Sequence, residues 1–297
     1  MSRTDLSLPQ ARGLGETTRR DNWWAQPLVV FLGFAAFIVY STWAAFQGNH
    51  YWFRGSASQI AESGGFESQY LSPMYSPILF VRPEVAGAAP MEHAWIGEFP
   101  DWWPLLIASP ALLILAIPAL FRFTCYYYRG AYYKAFWADP LNCGVGEPGF
   151  RGESYRGERW FPLVLQNVHR YFLYLVLIFI VILSYDAVIS YIFVQRDAAG
   201  EVVDRTFGIG LGSLVLTLNV ILLGGYTFGC HSLRHLVGGK NDCVSANPAR
   251  YQAWRCVSCF TRRHMIWAWF SLVWVGFTDA YVRLCSNGTW TDVWWVF

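Results

Sequence analysis

Five long apolar stretches separated by polar sequence organise this chain: residues 27–46, 103–123, 171–194, 207–229 and 265–284. A helix needs about 20 apolar residues to cross a bilayer's hydrocarbon core. Each stretch therefore predicts a membrane-crossing helix, and the expectation is an all-α integral membrane protein of five transmembrane helices. The second stretch contains Pro110 and Pro118 and is expected to kink, which neighbouring helices can tolerate. A polar tail at 1–25 precedes a five-helix transmembrane domain at 26–285, and a short tail at 286–297 follows. The first tail has arginines but no apolar core or cleavage signature, so it does not read as a signal peptide. Residues 47–102 form a long Gly-, Ser- and Pro-rich acidic connection between helices one and two.

Charge then orients the helices. Of 22 Lys and Arg, 17 fall in the first tail, in 122–170 and in 234–263, against five elsewhere. Cytoplasmic connections carry the excess of Lys and Arg. The N-terminus is therefore expected in the cytoplasm, with the C-terminus and the long 47–102 loop outside. Composition agrees: 55% of residues are hydrophobic and 14% charged, where soluble domains carry about 25% charged residues. A net charge of +2 gives no reason to expect nucleic acid. The aromatic and basic stretch 125–137, "CYYYRGAYYKAFW", suits the membrane interface or a docking surface.

The candidate chemistry gathers at the inner helix ends. Cys125 ends the second stretch, His169 opens the third, Cys230, His231 and His235 end the fourth, and His264 opens the fifth. His231 and His235 are four apart and share a helix face, the spacing with which two imidazoles hold one metal. A b-type haem needs two histidines from facing helices, such as His169 with His264 or His235. A Rieske-type [2Fe–2S] cluster needs two cysteines and two histidines, a count that Cys125, Cys230, His231 and His235 satisfy; His264 and His169 are the alternates. The seven cysteines lack disulfide-framework spacing. The lone Cys256-x-x-Cys259 is a weak metal signal, and Cys143 and Cys285 read as plain thiols. Asp186, Asp279 and Arg283 fall at membrane depth in the outer half and predict an interhelical ion-pair cluster, with a proton path as the sharper alternative. A quinone needs an apolar slot with a few hydrogen-bond donors, for which His169, Arg170, Tyr171, Tyr127 and Trp267 are the candidates.

Several blocks carry a family resemblance. "YSTWAAFQGNHY" (40–51), "YLSPMYSP" (70–77), "FRFTCYYYRGAYYKAFW" (121–137), "LQNVHRYF" (165–172), "CHSLRHLVGG" (230–239) and "DAYVRL" (279–284) are together similar to the single-chain membrane anchor of actinobacterial-type succinate dehydrogenase. That resemblance implies a subunit of respiratory complex II in the bacterial cytoplasmic membrane. A flavoprotein and an iron–sulfur subunit would dock on its inner face, and electrons would pass to a quinone. It also implies a Rieske-type cluster within the membrane. The succinate chemistry itself would belong to the partners. The alternative is a haem b-containing, diheme-type anchor of fumarate reductase; its pattern is disfavoured because the outer half of span four has no His. An ion-coupled transporter is the remaining class, and the absence of internal repeats speaks against it.

Overall fold

The computed structural model describes residues 21–104, 109–136, 161–239 and 243–297. Most of the N-terminal tail, Cys143 and Trp137 lie outside these residues. The described helices are, in chain order, α1 (Ala25–Gln47), α2 (Ala57–Glu62), α3 (Pro110–Ile114), α4 (Ala116–Phe123), α5 (Tyr126–Phe136), α6 (Phe161–Ile189), α7 (Leu211–Phe228), α8 (His231–Gly238), α9 (Pro248–Arg262) and α10 (His264–Ser286). Four are long and apolar enough to cross a membrane: α1, the Asn167–Ile189 part of α6, α7 and α10. The second stretch is not one continuous helix, as its prolines anticipate, and its residues 105–108 lie outside the described ones. Its described part is two short helices, broken at Leu115. Pro118 is the physical reason, since its ring clashes with the carbonyl four residues back, at Ile114, and it has no N–H to donate there.

The all-α expectation also needs correction, because short strands form outside the long helices. They are β1 (Trp52–Phe53), β2 (Phe66–Glu67), β3 (Tyr70–Leu71), β4 (Phe80–Val81), β5 (Gly97–Glu98), β6 (Ile192–Arg196), β7 (Val202–Gly210) and β8 (Trp294–Val296). A four-stranded sheet runs in the order β2-β6-β7-β8, with antiparallel pairing throughout. β6 and β7 are a hairpin whose turn holds Gly200 at φ +86°. In that turn Asp197 Oδ1 accepts from the backbone N–H of Ala199 and Glu201, both at 2.9 Å. The third and fourth apolar stretches were thus read too long. Their 192–194 and 207–210 ends are strand, and an apolar run of this length does not by itself tell strand from helix. The last residues, expected as a plain tail, supply the edge strand β8.

The chain divides into two compact units: Met1–Ile38 with Arg122–His169, and Val39–Phe121 with Arg170–Phe297. In the smaller unit, Phe31 packs on Phe136 at 4.9 Å and Phe34 on Tyr128 at 5.3 Å between ring centroids. Arg122 donates to the buried Tyr128 hydroxyl at 2.7 Å. In the larger unit α7 packs along α10 around a core that includes Phe53, Tyr70, Val215, Leu216, Tyr281 and Val282. Close approach of these two helices depends on Gly225, where a Cβ would sit 2.4 Å from the Trp267 ring.

The charges at membrane depth are bound into this packing. Asp279 is fully buried. Its carboxylate accepts from the Tyr40 hydroxyl at 2.6 Å and from the Ser72 hydroxyl, and it lies 3.6 Å from Arg283 Nε. Arg283 in turn donates to the backbone oxygen of Asn49 at 2.9 Å and lies 5.2 Å from the Trp43 ring centroid. Asp186 accepts from the Ser76 hydroxyl instead of joining this pair. The expected cluster of three therefore resolves into an Asp279–Arg283 lock between α1, α10 and the 47–102 loop, with Asp186 fastening a second point of the loop.

Outside the spans a smaller lock holds the C-terminal segment. The buried Asp292 carboxylate accepts from Tyr281 Oη and from Gly212 N, while its backbone oxygen accepts from Gln59 Nε2 at 2.6 Å. Burial raises this carboxyl's pKa above the usual carboxylate range.

Candidate functional site at the inner helix ends

The sequence folds the C-terminal end of α7 into a tight corner. Gly229 closes α7, its N–H donating to Gly225 O at 3.0 Å, and Cys230 then takes an extended conformation as the N-cap of α8. A side chain at Gly229 has no room: its Cβ would lie 2.8 Å from Gly225 O and 3.1 Å from His264 Nδ1. The glycine therefore lets the first imidazole of α10 press against the turn that carries Cys230. Cys230 and His264 are both buried. The His264 ring stacks on Tyr226 at 5.0 Å and meets the His231 ring edge-on at 6.3 Å. His231, in the short helix beyond the span, is held toward its neutral form by partial desolvation first, then by the charge of Arg234 and by His235. Neutral imidazole is the form that binds metal.

In the smaller unit Cys125 and His169 are again both buried. The His169 ring is oriented through Nδ1, which lies 2.9 Å from Thr124 Oγ1. A partner on Nδ1 fixes the ring's orientation and leaves Nε2 as the ligating nitrogen. Arg129, also buried, lies 4.9 Å from the Tyr126 ring centroid. Sequence reasoning passed over Thr124 and Arg129, because neither residue type announces a site by itself.

The expected residues thus separate by environment. Cys125, His169, Cys230 and His264 are buried, whereas His231 and His235 are exposed on α8. His264, first held as an alternate, stands beside His231. Among the described residues no three His, Cys, Asp or Glu side chains come close enough to hold a metal as they stand. Taken separately, the smaller unit carries the buried Cys125 and His169, and the larger the buried Cys230 and His264, donor types that a metal centre uses. Cys243, Cys256 and Cys259 are exposed, which sets them apart from this group.

Of the quinone candidates, Arg170 and Tyr171 are exposed and Tyr127 is half-buried. Trp267 is half-buried, packing on Phe260 at 5.9 Å, and its indole N–H is buried without a hydrogen-bond acceptor among the described residues. An orphaned donor of this kind is costly unless a ligand satisfies it. One prediction follows locally. Gly229→Ala is expected to cost about 1–3 kcal/mol by overpacking and to shift His264, read as a lowered unfolding temperature in detergent.

Four helices long and apolar enough to cross a membrane define a multi-pass membrane protein. The family model for the actinobacterial succinate dehydrogenase subunit SdhC matches residues 25–288, and the chain belongs to that family. It is also similar to a chain in a solved structure described as the Mycobacterium smegmatis Sdh1 complex in the apo form. The two share 37% sequence identity and a TM-score of 0.75, covering 98% of this chain and 96% of that one. No curated protein matches it.

Proposed function

We propose that the chain anchors a succinate:quinone oxidoreductase in the bacterial cytoplasmic membrane and carries electrons from a cytoplasmic iron–sulfur subunit to a quinone. The observation that carries this reading is the Cys230–His231–His264 corner at the membrane end of α7 and α10. A buried thiol with two neighbouring imidazoles supports an electron-entry site facing a docked partner. Flavoprotein and iron–sulfur subunits are the proposed partners, because the similar solved chain comes from a complex titled Sdh1.

In this reading Cys230, His231 and His264 are candidate donors within the larger unit, and Cys125 and His169 are a separate candidate pair within the smaller. A Rieske-type [2Fe–2S] group, which takes two thiolates and two imidazoles, would supply one-electron transfer when bound. The chain's own residues do the rest. Gly229 admits His264 to the corner, Thr124 orients His169, and the spans exclude water from both thiols. The Trp267 indole N–H is the proposed donor to a quinone carbonyl. Succinate chemistry stays with the partners.

EPR and reduced-minus-oxidised optical spectra of the purified complex test the reading. A Rieske-type iron–sulfur signal is expected. A haem Soret band with no such signal would establish the haem b alternative instead.

A further inference from the structure

The connection between α7 and α10 builds a second feature, a cavity that borders the candidate site at His231. Helices α8 and α9 pack side by side and border a cavity of about 550 Å3, whose walls include Arg234, Arg255, Arg262, Trp254, Ser258 and Thr261. Arg234 is fixed in place, its Nε donating to Ser258 Oγ at 3.0 Å and its guanidinium lying 5.0 Å from the Trp254 ring centroid. Trp254 itself is held tightly, because a Cβ on Gly238 would sit 2.4 Å from its ring. Arg255 lies 5.8 Å from the Tyr251 ring centroid.

The neighbouring Arg250 shows the contrast. It donates to the carbonyls of Val237, at 2.5 Å, and Gly239, fastening α9 to the end of α8. Of the cavity arginines, Arg234 bonds to Ser258 between α8 and α9, while Arg255 and Arg262 line the cavity beside it. Among the described residues the ion pairs of Glu67, Glu84, Glu92 and Asp279 involve other cations, and none joins a carboxylate to Arg234, Arg255 or Arg262. Three guanidinium groups around one cavity repel one another, and an anion between them would reverse that term. Guanidinium matches the oxygens of a phosphate in bidentate geometry, and the Ser258 hydroxyl, already an acceptor for Arg234, can donate its own hydrogen.

Depth selects the source of the phosphate. Arg262 ends α9 just before α10 begins at His264, and α8 begins at His231 just after α7 ends at Phe228. The cavity therefore lies at the ends of two membrane-crossing helices, the level of lipid headgroups. Basic pockets between helices at this level suit anionic headgroups. We propose that this cavity binds the phosphodiester headgroup of an anionic phospholipid from the adjoining leaflet. The cavity shares His231 with the candidate site, but the inference rests on the arginines and not on that site's chemistry.

The test is native mass spectrometry of the intact complex, delipidated and reconstituted in nanodiscs of phosphatidylglycerol or of phosphatidylcholine. Phosphatidylglycerol is expected to remain bound to this subunit and phosphatidylcholine to wash away. In the double variant Arg255→Gln, Arg262→Gln apparent affinity for phosphatidylglycerol should fall on the order of 30-fold, roughly fivefold per arginine. Arg255→Lys with Arg262→Lys keeps the charge and should restore most of the retention. Equal retention of the two lipids by wild type, or undiminished retention by the Gln pair, would overturn the proposal. Displacement of the lipid by an equal concentration of glycerol 3-phosphate would assign the site to a soluble phosphate. Loss of the soluble subunits with lipid binding unchanged would assign these arginines to a protein interface.

Discussion

Cys230→Ser is expected to abolish the EPR signal of the membrane centre and to lower quinone reduction by at least 100-fold, while succinate oxidation with a soluble dye continues. Serine is nearly isosteric with cysteine, so the corner at Gly229 should still form; what it lacks is the soft thiolate that an iron–sulfur centre requires. Outer partners of metal ligands already cost about 10–100-fold when removed, and loss of a ligand should cost no less. His264→Ala should behave in the same way, because its ring is buried against the Cys230 turn. His235→Ala serves as the contrast. His235 is exposed in the last turn of α8, and surface substitutions usually fall within about 0.5 kcal/mol, so activity should stay within a factor of about two. Equal loss of signal in the His235 and His264 variants would restore the His231–His235 pair suggested by spacing. Full quinone reduction in Cys230→Ser would end the metal-centre reading altogether.

The contrast between His235 and His264 shows what spacing can tell and where it stops. Hydrophobic period and length marked the four long helices, since crossing a bilayer constrains length and composition directly. The 207–210 end of the fourth stretch misled because "FGIG" is as apolar as the helix that follows it, and only Gly210 in extended conformation marks the change. At the site, i and i+4 spacing put His231 and His235 on one face, as it must, but spacing within one helix does not report burial. His264 is 33 positions along from His231, and what brings the two rings to 6.3 Å is the absence of a Cβ at Gly229. A glycine between an apolar helix and a Cys-His pair was the available signal. Thr124 gave none, because its role exists only once α6 delivers His169 Nδ1 to its hydroxyl. The arginine cavity was legible only as an excess of positive charge in 234–263; its shape depends on α8 and α9 lying side by side.

Asp279→Ala should produce the largest loss of stability in the chain, about 3–5 kcal/mol, the usual consequence of removing one partner of a buried ion pair. The substitution strands the Arg283 guanidinium, whose side chain is 8% exposed, beside a cavity at membrane depth. It also deprives the Tyr40 and Ser72 hydroxyls of their acceptor, and each buried unsatisfied donor adds about 1–3 kcal/mol. The effect should appear as loss of assembled complex in mild detergent and a lowered unfolding temperature. Asp279→Asn keeps an acceptor for Tyr40 or Ser72 but removes the charge, so it should fall between wild type and Asp279→Ala. The double variant Asp279→Ala, Arg283→Ala removes both charges and should recover part of the single-variant loss, because contacting residues in one network couple by about 0.5–3 kcal/mol. A proton path makes the opposite forecast. It requires a stable, assembled Asp279→Ala complex that fails only in quinone turnover, and that result would reassign Asp279 from lock to conduit. The lock is favoured by the number of partners that Asp279 already satisfies: a carboxylate engaged by a tyrosine, a serine and an arginine is poorly placed to trade protons without first dismantling the contact between α1, α10 and the outer loop.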